Sequence, residues 1–204
     1  GNGDWSSDVC SSDLKIGKVR KYFGSYCQYS SRYDKYKAGI IENAFKRELS
    51  NGALMDIGVY TIYPMVALFG KPNYIKADAY MLNTGVDGEG SVVFNYDDMM
   101  GTIQYSKISN SYIPSEIQGE EGSIIIEQIN SFNKIIIRYR DGREEVISNE
   151  QFEKESMFYE VEEFIKIIKE EKRESEINSH ENSIHTIEIM DEVRKQIGLV
   201  YLAD

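Results

Sequence analysis

The chain has 204 residues and a formal net charge of −11 at pH 7, with 41% hydrophobic and 28% charged residues. The overall charge of such a chain does not attract nucleic acid or anionic lipid, so we expect neither as a partner. No apolar run approaches the roughly 20 residues needed to cross a bilayer, and we therefore expect a soluble protein.

The first residues, 1–14, lack the features of a folded segment. Residues 4–14 (DWSSDVCSSDL) show neither a hydrophobic period nor a targeting pattern, and they match the translation of a sequencing adapter. We predict that 1–14 is non-native and disordered, that an upstream part is missing, and that 15–204 is a single domain. A short polar tail is the alternative, and it also lacks structure.

Cysteine content indicates the compartment. Outside the first segment Cys27 is the one remaining cysteine, so an internal disulfide is excluded there. A chain of this kind is typical of a reducing environment, and we expect a cytoplasmic location.

The first half of the domain predicts a strand and then a long helix. Residues 18–28 alternate and predict the strand, whereas 30–41 are irregular and predict a loop or a short helical turn. Ser50 or Asn51 can cap a helix over about 53–69, which Gly70 ends. Pro64 inside this helix predicts a kink.

The middle of the chain predicts a sheet. Short apolar runs alternate with turn signals such as Asp141-Gly142, and no helical pattern separates them. Successive strands without intervening helices predict mainly antiparallel pairing. The predicted strands cover 74–82, 91–96, 101–108, 115–118, 123–128, 134–139 and 144–148.

The last part of the chain predicts two amphipathic helices. Residues 157–170 and 183–201 each carry a one-sided apolar stripe, and the charged residues between them predict a solvated turn. The fold class is therefore α+β, with one open, mainly antiparallel sheet and helices packed on one face.

One segment carries the candidate chemistry. Residues 45–60 (FKRELSNGALMDIGVY) place Asp56 and Tyr60 four apart on the predicted helix, where they share a face. Gly58 between them costs about 1 kcal/mol relative to alanine, which indicates that another group approaches the backbone there. Taken alone, an acid and a phenol so placed are more often structural than catalytic.

The same segment resembles the F-x-x-E-L-x-G-G-A-L-x-D-x-G-x-Y signature of the Gfo/Idh/MocA oxidoreductases. Residues 83–87 (NTGVD), 117–122 (IQGEEG) and 190–198 (MDEVRKQIG) are similar to motifs of its dihydrodiol-dehydrogenase-like and glucose-fructose-oxidoreductase-like branch. The resemblance spans about 15–201, which corresponds to the C-terminal domain of the family. It implies that the N-terminal Rossmann domain is absent. Asn51 departs from the pattern, since most members have glycine there.

The resemblance implies site residues and a reaction. Tyr60 would be the acid/base, Asp56 would orient it or bind a substrate hydroxyl, and Gly58 would lie near the cofactor. The cofactor would be NAD or NADP, bound mainly by the missing domain, and the substrate a sugar, polyol, inositol or dihydrodiol. The lysine of the family's E-K-P motif is not in this sequence. We therefore expect this chain to be inactive by itself, and the family implies a homodimer through the sheet.

Other functions remain open at this point. A stand-alone, non-catalytic binding or assembly domain needs neither Tyr60 nor a cofactor. An NAD-dependent glycoside hydrolase uses the cofactor without net redox change. No metal site is expected, because His180 and His185 are spaced too far around a helix to share an ion.

Overall fold

A computed structural model describes residues 15–148, 156–176, 178–202 and 204. The segment 1–14, predicted to be non-native, lies outside the described residues. The strands are β1 (Val19–Cys27), β2 (Tyr74–Met81), β3 (Asp87–Asn95), β4 (Met100–Ser106), β5 (Ser115–Gly119), β6 (Gly122–Ile126), β7 (Ile135–Tyr139) and β8 (Glu144–Ser148). The α-helices are α1 (Ser31–Lys37), α2 (Val59–Phe69), α3 (Ser156–Lys169) and α4 (His180–Ile197).

The strands form one open sheet in the order β2-β3-β4-β1-β5-β6-β7-β8. All neighbours are antiparallel except β1 and β4, which run parallel with Cys27 opposite Ser106. The prediction of a mainly antiparallel sheet is therefore confirmed. The parallel pairing of β1 with β4 was not predicted. It brings the carboxyl ends of β1 and β4 to the same edge of the sheet.

The core lies between one face of the sheet and two helices. Helices α2 and α4 cover this face, which confirms the α+β class with helices on one side. Each fully buried apolar side chain contributes about 1.5–3 kcal/mol relative to an exposed one. Strands and helices contribute Tyr22, Val92, Phe94, Ile103, Ile117, Ile137, Ile62, Met65, Val66, Ile189, Met190 and Val193.

Helix α3 differs from the other long helices. Its apolar stripe is exposed, with Phe164 at 64% and Ile168 at 60% of their full accessibility. The amphipathic pattern therefore predicted the helix correctly, but the stripe is not buried against the sheet.

Several predicted boundaries shift. Strand β3 begins at Asp87, four residues before its predicted start, and the last helix ends at Ile197 because Gly198 adopts a left-handed conformation with φ 73°. Residues 31–37 form the short helix α1, which is the helical turn considered for that region. Pro64 lies inside α2, and the kink there stays a prediction.

The segment Arg47–Phe69 is 23 residues long and apolar enough to cross a membrane by length and composition. The expectation that no run approaches this length is therefore wrong for that segment. Half of its most apolar 18-residue stretch is buried inside the protein, where Ile62, Met65 and Val66 belong to the core. A buried core helix meets the same criterion.

Candidate active site

The helix that carries Asp56 and Tyr60 begins against the sheet. Residues Leu54–Gly58 form a π-helical turn that runs directly into α2. The Leu54 amide donates a hydrogen bond of 2.7 Å to Asp87 Oδ2, at the start of β3. Turns of this kind are rare and occur frequently at functional sites.

The predicted caps, Ser50 and Asn51, do not cap this helix. Ser50 ends the preceding 3-10 turn in a left-handed conformation with φ 53°. The Asn51 side-chain amide instead donates to the carbonyl of Asn43 at 2.9 Å. Asp87 takes over the role because the fold brings it next to the orphan amide of Leu54.

The Asp87 carboxyl is completely buried. Burial raises its pKa to about 6, although the hydrogen bond from Leu54 opposes the rise. Burial, and secondly the nearby Asp87, raise the pKa of the Tyr105 phenol above its ordinary value. An ionised carboxylate at the first turn of a helix is also favourable for the helix dipole.

Gly52 leaves the space that Asp87 occupies. Its φ of 153° is unfavourable for other residues, and a Cβ there would overlap Asp87 Oδ1. We expect Gly52→Ala to lower the free energy of unfolding by about 2 kcal/mol or more, measured by urea denaturation. The control is Gly142→Ala, where φ is 90° but nothing lies within 4 Å of the added methyl group. Equal losses in the two variants would contradict the steric explanation.

Asp56 forms an ion pair with Lys107, which follows β4 directly. The side chain of Lys107 is only 4% exposed, whereas that of Asp56 is 46% exposed. Burial, and secondly the charge of Arg32, lower the pKa of Lys107 to about 8. The Asp56 carboxylate acts against this change, since an opposite charge favours the protonated amine. No local pattern in the sequence links this lysine to Asp56.

Tyr60 is 45% exposed and lies beside Tyr26 of β1. The two rings meet edge to face, with centroids 5.4 Å apart and an angle of 84°. The Tyr26 hydroxyl donates a hydrogen bond of 3.2 Å to Gln28 Oε1. Within the described residues, no hydrogen-bond partner engages the hydroxyl of Tyr60. The ring is therefore held in place while its hydroxyl stays accessible.

The structure places Asp56 and Tyr60 on one helical segment but gives them different partners. Asp56 contacts Lys107 beyond β4, and Tyr60 contacts Tyr26 near the end of β1. Because β1 and β4 are parallel neighbours, both contacts lie at the same edge of the sheet. The two side chains are thus brought to one surface without a hydrogen bond to each other.

Gly58 is buried against the sheet. A Cβ there would stand 3.1 Å from Leu54 Cδ1 and 3.4 Å from Tyr105 Cδ1. A glycine at this position indicated that another group approaches the backbone closely. The Tyr105 ring of the same chain is such a group. A role of Gly58 in cofactor binding stays a prediction.

The residues present suit acid–base chemistry on a substrate that carries hydroxyl groups. An accessible phenol and a partly exposed carboxylate provide one proton-transferring group and one acceptor for hydroxyl groups. Across the described ranges, no three His, Cys, Asp or Glu residues are grouped to hold a metal. Gly85 lies in the β2–β3 hairpin turn and not before a phosphate-binding helix.

Comparison with known proteins identifies the family. The sequence model of the GFO/IDH/MocA C-terminal domain matches residues 12–125. The chain belongs to the Gfo/Idh/MocA family. It is 56% identical over 190 residues to scyllo-inositol 2-dehydrogenase (NADP(+)) IolU of Bacillus subtilis (strain 168), covering 93% of this chain and 58% of that protein. It is 40% identical over 193 residues to the uncharacterized oxidoreductase YgjR of Escherichia coli (strain K12), covering 93% and 57%.

More distant Gfo/Idh/MocA-type relatives support the branch and the fold. Trans-1,2-dihydrobenzene-1,2-diol dehydrogenase of Danio rerio is 28% identical, covering 80% of this chain and 52% of that protein. A solved structure of levoglucosan dehydrogenase, in complex with NADH and L-sorbose, superposes with a TM-score of 0.72 at 16% identity. The match covers 95% of this chain and 59% of that one. At this identity it shows the fold alone. The chain spans little more than half the length of these relatives.

Proposed function

We propose that this protein is the substrate-binding and catalytic part of an NADP-dependent dehydrogenase that oxidises a hydroxyl of a cyclic polyol, scyllo-inositol first among the candidates. The observation that carries the proposal is the accessible Tyr60 phenol, held by Tyr26 on the same surface as the Asp56 carboxylate. The name of the Bacillus subtilis relative, at 56% identity, supports both the substrate and the choice of NADP.

The chemistry assigned to this chain is proton transfer and substrate positioning. Tyr60 Oη takes the proton of the reacting hydroxyl, and a nicotinamide, when bound, would supply the hydride acceptor. A phenol with an ordinary pKa near 10 needs a nearby cation for this task at neutral pH. Asp56 accepts a hydrogen bond from a neighbouring hydroxyl and so orients the ring. Gly58 allows Tyr105 to pack closely against the backbone of this turn.

The dimer is proposed to form through the helix-free face of the sheet. A row of side chains crosses that face in register, from Val93 through Thr102, Phe23, Glu116 and Ile125 to Ile136. Its apolar members are only partly buried, which suits an interface more than a solvated surface. Sedimentation analysis of the chain at micromolar concentration is expected to show a dimer, and a monomer would contradict this proposal.

The activity test compares this chain alone with the chain joined to a dinucleotide-binding domain. We expect the chain alone not to reduce NADP⁺ with scyllo-inositol, because its described residues include no dinucleotide-binding fold and the sequence has no E-K-P lysine. A fusion to the dinucleotide-binding domain of the Bacillus subtilis relative is expected to form NADPH. Turnover by the chain alone contradicts the first expectation, and an inactive fusion that is folded and binds NADP⁺ contradicts the proposed reaction. Hydrolysis of a glycoside by the fusion without net NADPH would favour the hydrolase.

The proposal about residues 1–14 has its own test. Resequencing the source DNA upstream of the codon for Lys15 is expected to reveal an open frame with a strand, a G-x-G-x-x-G turn and a later E-K-P. A genuine start codon immediately upstream would favour the stand-alone binding domain, for which the activity test is also expected to be negative.

A further inference from the structure

Lys107 is a buried cation at the edge of the sheet where Asp56 and Tyr60 lie. Its backbone is fixed on both sides, since its amide donates to the Gly88 carbonyl at 2.9 Å and its carbonyl accepts from the Ser30 amide at 2.9 Å. Its amine lies 5.8 Å from the centre of the Phe45 ring. Two segments of the chain therefore hold the backbone of Lys107, and a third, at Phe45, lies beside its amine.

The charge on this side chain needs an explanation. Lysine is almost never fully buried unless it is paired, because removing an ammonium group from water is costly. The partner here, Asp56, is itself nearly half exposed, so the pair is not a core ion pair. An exposed lysine could have neutralised Asp56 at lower cost. The buried position of Lys107 instead restricts the place of its amine, and thereby the place of the Asp56 carboxylate that pairs with it.

We propose that Lys107 is a positioning residue that binds Oδ2 of Asp56 and thereby presents Oδ1 to a hydroxyl of the substrate. This inference rests on the proposed function. The contact with Lys107 engages Oδ2, and no residue in the described ranges bonds to Oδ1. A carboxylate held by one oxygen is pre-organised. Its other oxygen therefore accepts a hydrogen bond from a hydroxyl with less loss of side-chain freedom.

The pairing itself is tested on the 204-residue chain without any cofactor. Lysine labelled with ¹³C at Cε is titrated by NMR, and the Lys107 signal is assigned through its loss in Lys107→Met. In the wild type this signal is expected to titrate near pH 8. In Asp56→Asn the affinity of the amine for its proton is expected to fall at least about tenfold, because the paired charge is gone. The signal of Lys134, which pairs with Glu127 elsewhere, should not move.

The positioning role is tested by a double-mutant cycle in the active fusion enzyme. Lys107→Met and Asp56→Asn are each expected to lower kcat/KM for scyllo-inositol by about 10- to 100-fold, the usual range for a lost charged hydrogen bond. The double variant should be no worse than Asp56→Asn alone, because Lys107 acts through Asp56. Lys134→Met should retain full activity.

Two outcomes overturn the inference. One is a Lys107 signal that does not respond to Asp56→Asn, which would show that the two groups are not coupled. The other is a double variant whose losses multiply, which would show that Lys107 acts independently of Asp56. If the wild-type fusion does not oxidise polyols, the proposed function fails, and the titration still decides whether the pair exists.

Discussion

Replacing Tyr60 with phenylalanine is expected to lower kcat of the fusion enzyme for scyllo-inositol by about 10²- to 10⁴-fold, the usual contribution of general acid–base catalysis. The stability of the chain should change by less than about 0.5 kcal/mol, because the hydroxyl has no hydrogen-bond partner among the described residues and the ring keeps its contact with Tyr26. Steady-state kinetics and urea denaturation measure the two effects.

Tyr63 provides the matched control one turn further along α2. Its hydroxyl donates a hydrogen bond of 2.6 Å to Asn178 Oδ1. Tyr63→Phe should therefore lose about 1 kcal/mol of stability while keeping its activity, which is the opposite pattern. A Tyr60→Phe enzyme with near-normal kcat would remove Tyr60 from the proposed mechanism.

Replacing Asp87 with asparagine is expected to change the pH dependence of stability by about 3 kcal/mol. Burial raises the pKa of Asp87 from 3.8 to about 6 in the folded chain, and each pKa unit corresponds to about 1.4 kcal/mol. Asparagine can still accept the hydrogen bond from Leu54 but cannot ionise. The measurement is urea denaturation of both proteins at several pH values between 4 and 7.5.

The direction of this effect follows from the raised pKa. Between about pH 4 and pH 6 the folded wild type binds more protons at Asp87 than the unfolded chain, so its stability falls as the pH rises. The advantage of Asp87→Asn over the wild type should therefore grow over this range and stay constant above it. For exposed Asp141, hydrogen bonds from the Arg143 backbone and guanidinium lower the pKa, so Asp141→Asn should show a small change of opposite sign. A flat difference for Asp87→Asn would contradict the prediction.

Local signals were sufficient for most of the architecture. The runs around β5, β6 and β7 follow one another without an intervening helical pattern, so their antiparallel pairing could be inferred from neighbours in sequence. The helix that contains Tyr60 could likewise be predicted from one continuous segment of the sequence. The family signature supplied the chemistry, because it is confined to one continuous segment.

Contacts between distant segments could not be predicted in this way. Asp87 caps a helix that begins 33 residues earlier, and Lys107 pairs with an acid 51 residues away. The sequence around Asp87 and around Lys107 contains no pattern that indicates their partners. The π-helical turn was also missed, since its single extra residue leaves the apolar period of the segment nearly unchanged.

The central place of β1 in the sheet has a consequence for synthesis. This strand is the first of the sheet to leave the ribosome, yet its two neighbours, β4 and β5, end at Ser106 and Gly119. At roughly 5–20 residues per second, both edges of β1 stay unpaired for about 4–16 s, until β4 has been synthesised. Its pairing with β4 and β5 joins the two parts of the sheet and places Tyr26 beside Tyr60. Chaperone dependence during translation is therefore expected to concentrate on β1.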